Sequence, residues 1–83
     1  MLDETMMNRA LKMAEKGFYE NEVPIGAVIV LENKVIAETH NKCFSNHDAT
    51  SHAEILAIRS ACSKLKSDRL VRCKLYVTLE PCC

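Results

Sequence analysis

Between residues 3 and 17 apolar side chains recur at threes and fours, at Met7, Ala10, Leu11, Ala14 and, just beyond, Phe18, the spacing of one face of an amphipathic helix. Asp3 or Thr5 can cap its start, and Gly17 stands near its exit. Met6, Met7 and Met13 lie in the same stretch, where flexible thioethers fill irregular core space. The helical period breaks across Glu22-Val23-Pro24-Ile25-Gly26, and Ala27-Val28-Ile29-Val30-Leu31 then runs apolar without alternation. A strand of that kind is covered on both faces, which predicts helices on either side of it. Glu32-Asn33-Lys34 predicts a tight connection into a second strand at residues 35–39, hence a β-hairpin. Residues 40–50 are polar and unperiodic and read as a loop. From Ser51 to about Leu65 the helical period returns, with Ile55, Leu56, Ile58, Ala61, Cys62 and Leu65 on its apolar face. Residues 75–79 predict a third strand, and Pro81 suits the first turn of a further helix. A hairpin, a helix and another strand predict an α/β layered sheet.

Composition narrows this picture. Eighty-three residues make one small domain, which buries only roughly 60–65% of its unfolded surface. Eleven basic residues balance eleven acidic ones, so the chain lacks the basic excess of a protein that holds nucleic acid by phosphate contacts alone. The richest basic stretch, Lys64, Lys66, Arg69, Arg72 and Lys74 against Asp68, reads as a solvated helix end or as an RNA-contacting edge. Five cysteines at irregular spacing, with no signal peptide ahead of them, argue against a secreted disulfide framework and predict a cytoplasmic protein. No apolar run approaches the roughly 20 residues of a membrane helix.

The chemistry concentrates in Ser51-His52-Ala53-Glu54 and Pro81-Cys82-Cys83. Imidazole and thiolate are both good zinc ligands, whereas a carboxylate two residues from the histidine is better placed to move protons on a water at the metal. The combination predicts a zinc-dependent hydrolytic site. Ser51 and Glu54 also match a helix capping box, in which Glu54 would only reach back to the Ser51 amide. Against that stands the histidine in the same first turn, where the helix dipole favours a carboxylate. Asn41 can read a planar heterocycle with its amide or serve as a turn former, and His47 and Asp48 are open in the same way. Gly26 allows either close approach of a ligand to the backbone or an easier entry to the strand.

In the order Glu22-Val23-Pro24-Ile25-Gly26-Ala27-Val28, Asn41, His47-Asp48, His52-Ala53-Glu54-Ile55 and Thr78-Leu79-Glu80-Pro81-Cys82, the chain resembles the zinc-dependent cytidine and deoxycytidylate deaminase superfamily. Within it the likeness is to the branch that acts on adenosine in tRNA. The resemblance implies a three-layer α/β/α fold with a mixed β-sheet, Zn2+ held by His52 and Cys82, Glu54 as the proton shuttle, and Asn41 as a contact to the substrate base. It implies hydrolytic deamination of adenosine to inosine at the anticodon wobble position of tRNA, by a protein that is a homodimer at full length. A relative acting on guanine, a cytidine-type nucleotide or a riboflavin precursor, or a truncated remnant without turnover, are the alternative expectations. The family completes its cysteine half as P-C-x-x-C, with a further cysteine two positions beyond Cys83. Residues 1–83 are therefore expected to form the N-terminal half of a deaminase domain, ending inside that motif.

Overall fold

The unalternating apolar run lies where its composition sends it, at the centre of a sheet. A computed structural model describes residues 2–43 and 45–78. Its elements in chain order are α1 (Leu2–Tyr19), β1 (Gly26–Leu31), β2 (Lys34–His40), α2 (Ala53–Leu65) and β3 (Cys73–Val77). The strands are ordered β2-β1-β3, and among the described residues both pairings are antiparallel. Alternate residues of β1 feed two separate cores. Ala27 and Ile29 pack with Ala37 against Ala53, Ala57 and Ala61 of α2, while Val28 and Val30 pack against Met6 and Ala10 of α1. One helix on each face gives the α/β/α layering.

Small residues set how closely the helices approach. Ala53, Ala57 and Ala61 recur every four positions and are fully buried, so α2 lies close on the sheet. On α1 the inward face is Met6, Ala10 and Ala14; Leu11 and Phe18, expected on that face, are exposed. A Cβ built on Gly26 would stand 2.0 Å from the Ala10 carbonyl oxygen and 2.7 Å from the Ala14 nitrogen. Neither a ligand nor an easy strand entry explains this glycine: the backbone of α1 occupies the space a side chain would need. Gly17 stands in the last turn of α1, near its exit as expected, and packs on the His40 ring.

Helix ends and turns follow local chemistry. α1 stops where Asn21 takes a left-handed conformation (φ 64°), with Asn21 N–H donating to the Phe18 carbonyl and Glu22 N–H to that of Gly17. Lys66 (φ 53°) ends α2 in the same way. Glu32 and Asn33 both have positive φ, the pairing that a two-residue hairpin with right-handed strand twist requires. Between Ile29 and Val30 the β1–β2 register shifts and leaves Ile36 as an extra residue, so Ile36 and Ala37 both join the α2-side core.

Candidate active site

Four segments meet at one end of the sheet: the start of β1, the end of β2, the start of α2 and the end of β3. β2 delivers Asn41, whose backbone N–H donates to the Ile25 carbonyl at 3.1 Å. The Asn41 side chain is buried, and its Oδ1 accepts the Ala53 N–H at 2.7 Å, while the Thr39 hydroxyl donates to the Ala53 carbonyl at 2.6 Å. Residue 53 is thus held from both its peptide groups. Its neighbours His52 and Glu54 are exposed and half-buried respectively.

This geometry disposes of the capping box. His52, not Ser51, is the N-cap: it has extended backbone (φ −73°, ψ 149°), its side chain makes no capping bond, and its carbonyl accepts the Leu56 N–H. Glu54 is therefore the second helical residue rather than the third. The Ser51 amide donates to the Asp48 carbonyl, and the buried Ser51 hydroxyl donates to Asp48 Oδ2 and accepts from Asn46 Nδ2. Neither group is left for Glu54. Its carboxylate stands in the first turn of α2, at the positive end of the helix dipole.

The loop that precedes the helix is closed at its base by the Lys42 N–H donating to the Ser51 carbonyl at 2.9 Å. Inside it Asp48 is the hub, accepting from the Thr50 hydroxyl and N–H. Those bonds, with smaller contributions from Ser51 and from the charge of Arg59, hold the Asp48 carboxyl below its ordinary value. His47 is exposed with a left-handed backbone (φ 51°), and neither it nor Asp48 is brought to His52 by a bond that the structure shows.

β3 reaches the same end. Thr78 N–H donates to the Gly26 carbonyl at 3.0 Å, and the buried Thr78 hydroxyl accepts the Gly26 N–H at 2.9 Å. The described part of this strand thus ends beside the start of β1; Leu79, Glu80, Pro81 and Cys82, which follow in the sequence, lie outside the described residues. Among the described residues no three metal-ligating side chains cluster. The donors fit zinc nonetheless: an exposed imidazole free of any capping bond, and a Pro-Cys step carried by the strand that Thr78 pins at that end. Thr39 is the polar support that residue patterns alone do not reveal; a hydroxyl at a strand end carries no periodic signal.

Two cavities open among the described residues. One of about 400 Å³ lies at the site end beside β2, between Lys16, Thr39, His40, Asn46 and Leu56, although neither His52 nor Glu54 lines it. The other, about 220 Å³, lies at the opposite end of the sheet beside Glu32, Arg72 and Lys74.

A zinc-type histidine with a nearby carboxylate at a helix start, on a two-faced sheet whose third strand leads to Pro-Cys, defines a class, and the chain belongs to it. Residues 1–83 match the family described as the cytidine and deoxycytidylate deaminase zinc-binding region. The sequence is 47% identical over 79 residues to the tRNA-specific adenosine deaminase of Aquifex aeolicus, covering 95% of this chain and 52% of that protein. It is 46% identical over 80 residues to the enzyme of the same name from Bacillus subtilis, covering 96% of this chain and 50% of that one. A structure solved in a study of A-to-I editing by deaminases at the wobble position of transfer RNA superposes with a TM-score of 0.89 at 48% identity, over 95% of this chain and 61% of that one. Guanine deaminase from Bacillus subtilis superposes equally well, TM-score 0.89, at 42% identity over 95% of this chain and 51% of that one. The chain spans about half the length of the curated relatives it matches.

Proposed function

We propose that the protein to which this chain belongs is a zinc-dependent hydrolase that converts adenosine to inosine at the anticodon wobble position of tRNA. The observation that carries the reading is the clamp on residue 53, which presents His52 and Glu54 from one helix turn at the sheet end where β3 leads into Pro81-Cys82. His52 and Cys82 would hold the zinc, which supplies a Lewis acid that makes water a competent nucleophile near neutral pH.

The rest is done by the chain. Glu54 takes a proton as the water oxygen bonds to C6 of the base, and returns it to the exocyclic nitrogen that leaves as ammonia. Asn41 holds the base. Because its Oδ1 is committed to the Ala53 N–H, what it offers a substrate is the Nδ2 donor, which suits a ring nitrogen or carbonyl acceptor. A base in an anticodon loop is splayed out at little cost, so a chain with zero formal net charge suits it without a strongly basic surface.

The guanine deaminase likeness favours a second reading, deamination of a free purine base by the same machinery. Incubating the complete zinc-loaded protein with an anticodon stem-loop and with free guanine separates them: inosine in the stem-loop supports the first, xanthine the second. We extend the first reading to a cytoplasmic homodimer, in line with what the family resemblance implies; the unpaired thiols of Cys43, Cys62 and Cys73 suit the compartment. No helix among the described residues is long and apolar enough to cross a membrane.

A further inference from the structure

Glu22 is a carboxylate 6% exposed on the connection between α1 and β1, a place where a charged side chain ordinarily stays in water. The helix stop puts it there, since Asn21 in the left-handed conformation turns the chain and Glu22 N–H closes the stop on the Gly17 carbonyl. Its Oε2 accepts the Ser45 N–H at 2.7 Å and the Ser45 hydroxyl. Ser45 belongs to the loop whose two feet are Asn41 and His52. The bonds of Lys42, Asn46, Asp48, Thr50 and Ser51 described above run within that loop and give it shape, without tying it to the body of the domain. Glu22 provides such a tie, from a segment 23 residues earlier in the chain.

We infer that Glu22 is a positioning residue for substrate: by anchoring Ser45 it sets how residues 45–50 are held ahead of His52, and so how a base fits beside His52, Glu54 and Asn41. A buried carboxyl that accepts two donors from one residue is a directional anchor. Its bonds to Ser45 involve none of the groups assigned to the chemistry, so it acts on the fit of the substrate and not on the proton transfer. The inference rests on the deaminase reading for its kinetic consequence and on geometry alone for the anchor.

The test has two arms, both in the complete zinc-loaded protein. In hydrogen exchange, Glu22→Ala is expected to speed exchange of the Ser45 amide by roughly tenfold or more, with Glu22→Gln, which still accepts, in between. In stem-loop deamination, Glu22→Ala is expected to raise KM by about tenfold with kcat within about twofold, and Glu22→Gln to recover much of the loss. Ser45→Ala, at an exposed residue, removes one of the two bonds and is expected to shift KM in the same direction by a smaller factor. Unchanged exchange at Ser45 in Glu22→Ala overturns the anchor whatever the activity. Faster exchange with an effect confined to kcat overturns the positioning role. If the parent protein deaminates no base at all, it is the reading of function that fails, and the exchange arm still decides the anchor.

Discussion

The two ends of the sheet are built from different chemistry. Buried polar side chains Glu22, His40, Asn41, Ser51 and Thr78 all gather at the end where α2 begins. At the other end stand the Glu32-Asn33 turn, Lys66 and Arg72 with positive φ, and exposed Lys64, Arg69 and Lys74. Burying a polar group is unfavourable unless a partner replaces water, and among the described residues no buried side-chain nitrogen or oxygen lacks one. The first end therefore spends hydrogen bonds on holding a few atoms still: Asn41 on residue 53, Thr78 on Gly26, Ser45 on Glu22. The second end reverses the chain with exposed side chains bonded locally, as where the Ser67 hydroxyl donates to the Arg69 carbonyl and accepts the Arg69 N–H. The basic stretch lies at this second end, a helix length away from His52.

The sharpest way to test that contrast is at the chemistry itself. In the complete protein Glu54→Gln is expected to lower deamination by roughly 10²- to 10⁴-fold or more while zinc content, read by metal analysis, stays at the parent level. His52→Ala is expected to lose both. Zinc lost from the Glu54 variant would show that the carboxylate is a ligand and not a base.

Next in size is the packing beneath the site. Gly26→Ala places a methyl group against backbone atoms of α1 that cannot swing aside, and is expected to destabilise by about 2–3 kcal/mol or more in urea denaturation. A loss under about 0.5 kcal/mol would mean that α1 moves easily and that the site end is less rigid than its contacts imply.

Equal-sized substitutions at the two ends then measure their difference. Asn41→Ala removes the acceptor of a buried N–H and is expected to cost about 1–3 kcal/mol. Asn33→Gly, at φ 66°, relieves a left-handed conformation and is expected to be neutral or stabilising by a few tenths of a kcal/mol. Similar losses at both positions would erase the distinction between the ends.

The smallest effect is acidic. Asp48 has its pKa lowered in the folded chain, chiefly by the Thr50 hydroxyl and N–H, so its contribution is fully present above the ordinary value of 3.8 and is lost as pH falls through the lowered one. Exchange at the Thr50 amide is expected to accelerate only below that ordinary value, and Asp48→Asn to remove the transition. Acceleration at neutral pH would place its cause in another group.

Much of this molecule follows from residues taken a few at a time. The unalternating 27–31 run marks the central strand because a segment with no polar face has nowhere else to go, and His52-x-Glu54 with Pro81-Cys82 names its chemistry because few side chains bind zinc or carry protons. Tertiary structure decided the rest. Leu11 and Phe18 have the right period yet stay outside, since the sheet meets α1 along Met6, Ala10 and Ala14 and Gly26 lets the two backbones touch. Helix α2 begins one residue later than Ser51 suggests, because the acceptor that satisfies its first N–H comes from Asn41, 12 residues back on another element. Thr78 finds Gly26 across 52 residues, and Glu22 finds Ser45 across 23. Periodicity and capping rules report interactions between neighbours in sequence, whereas these partners exist only once the sheet has brought distant backbone ends to one place.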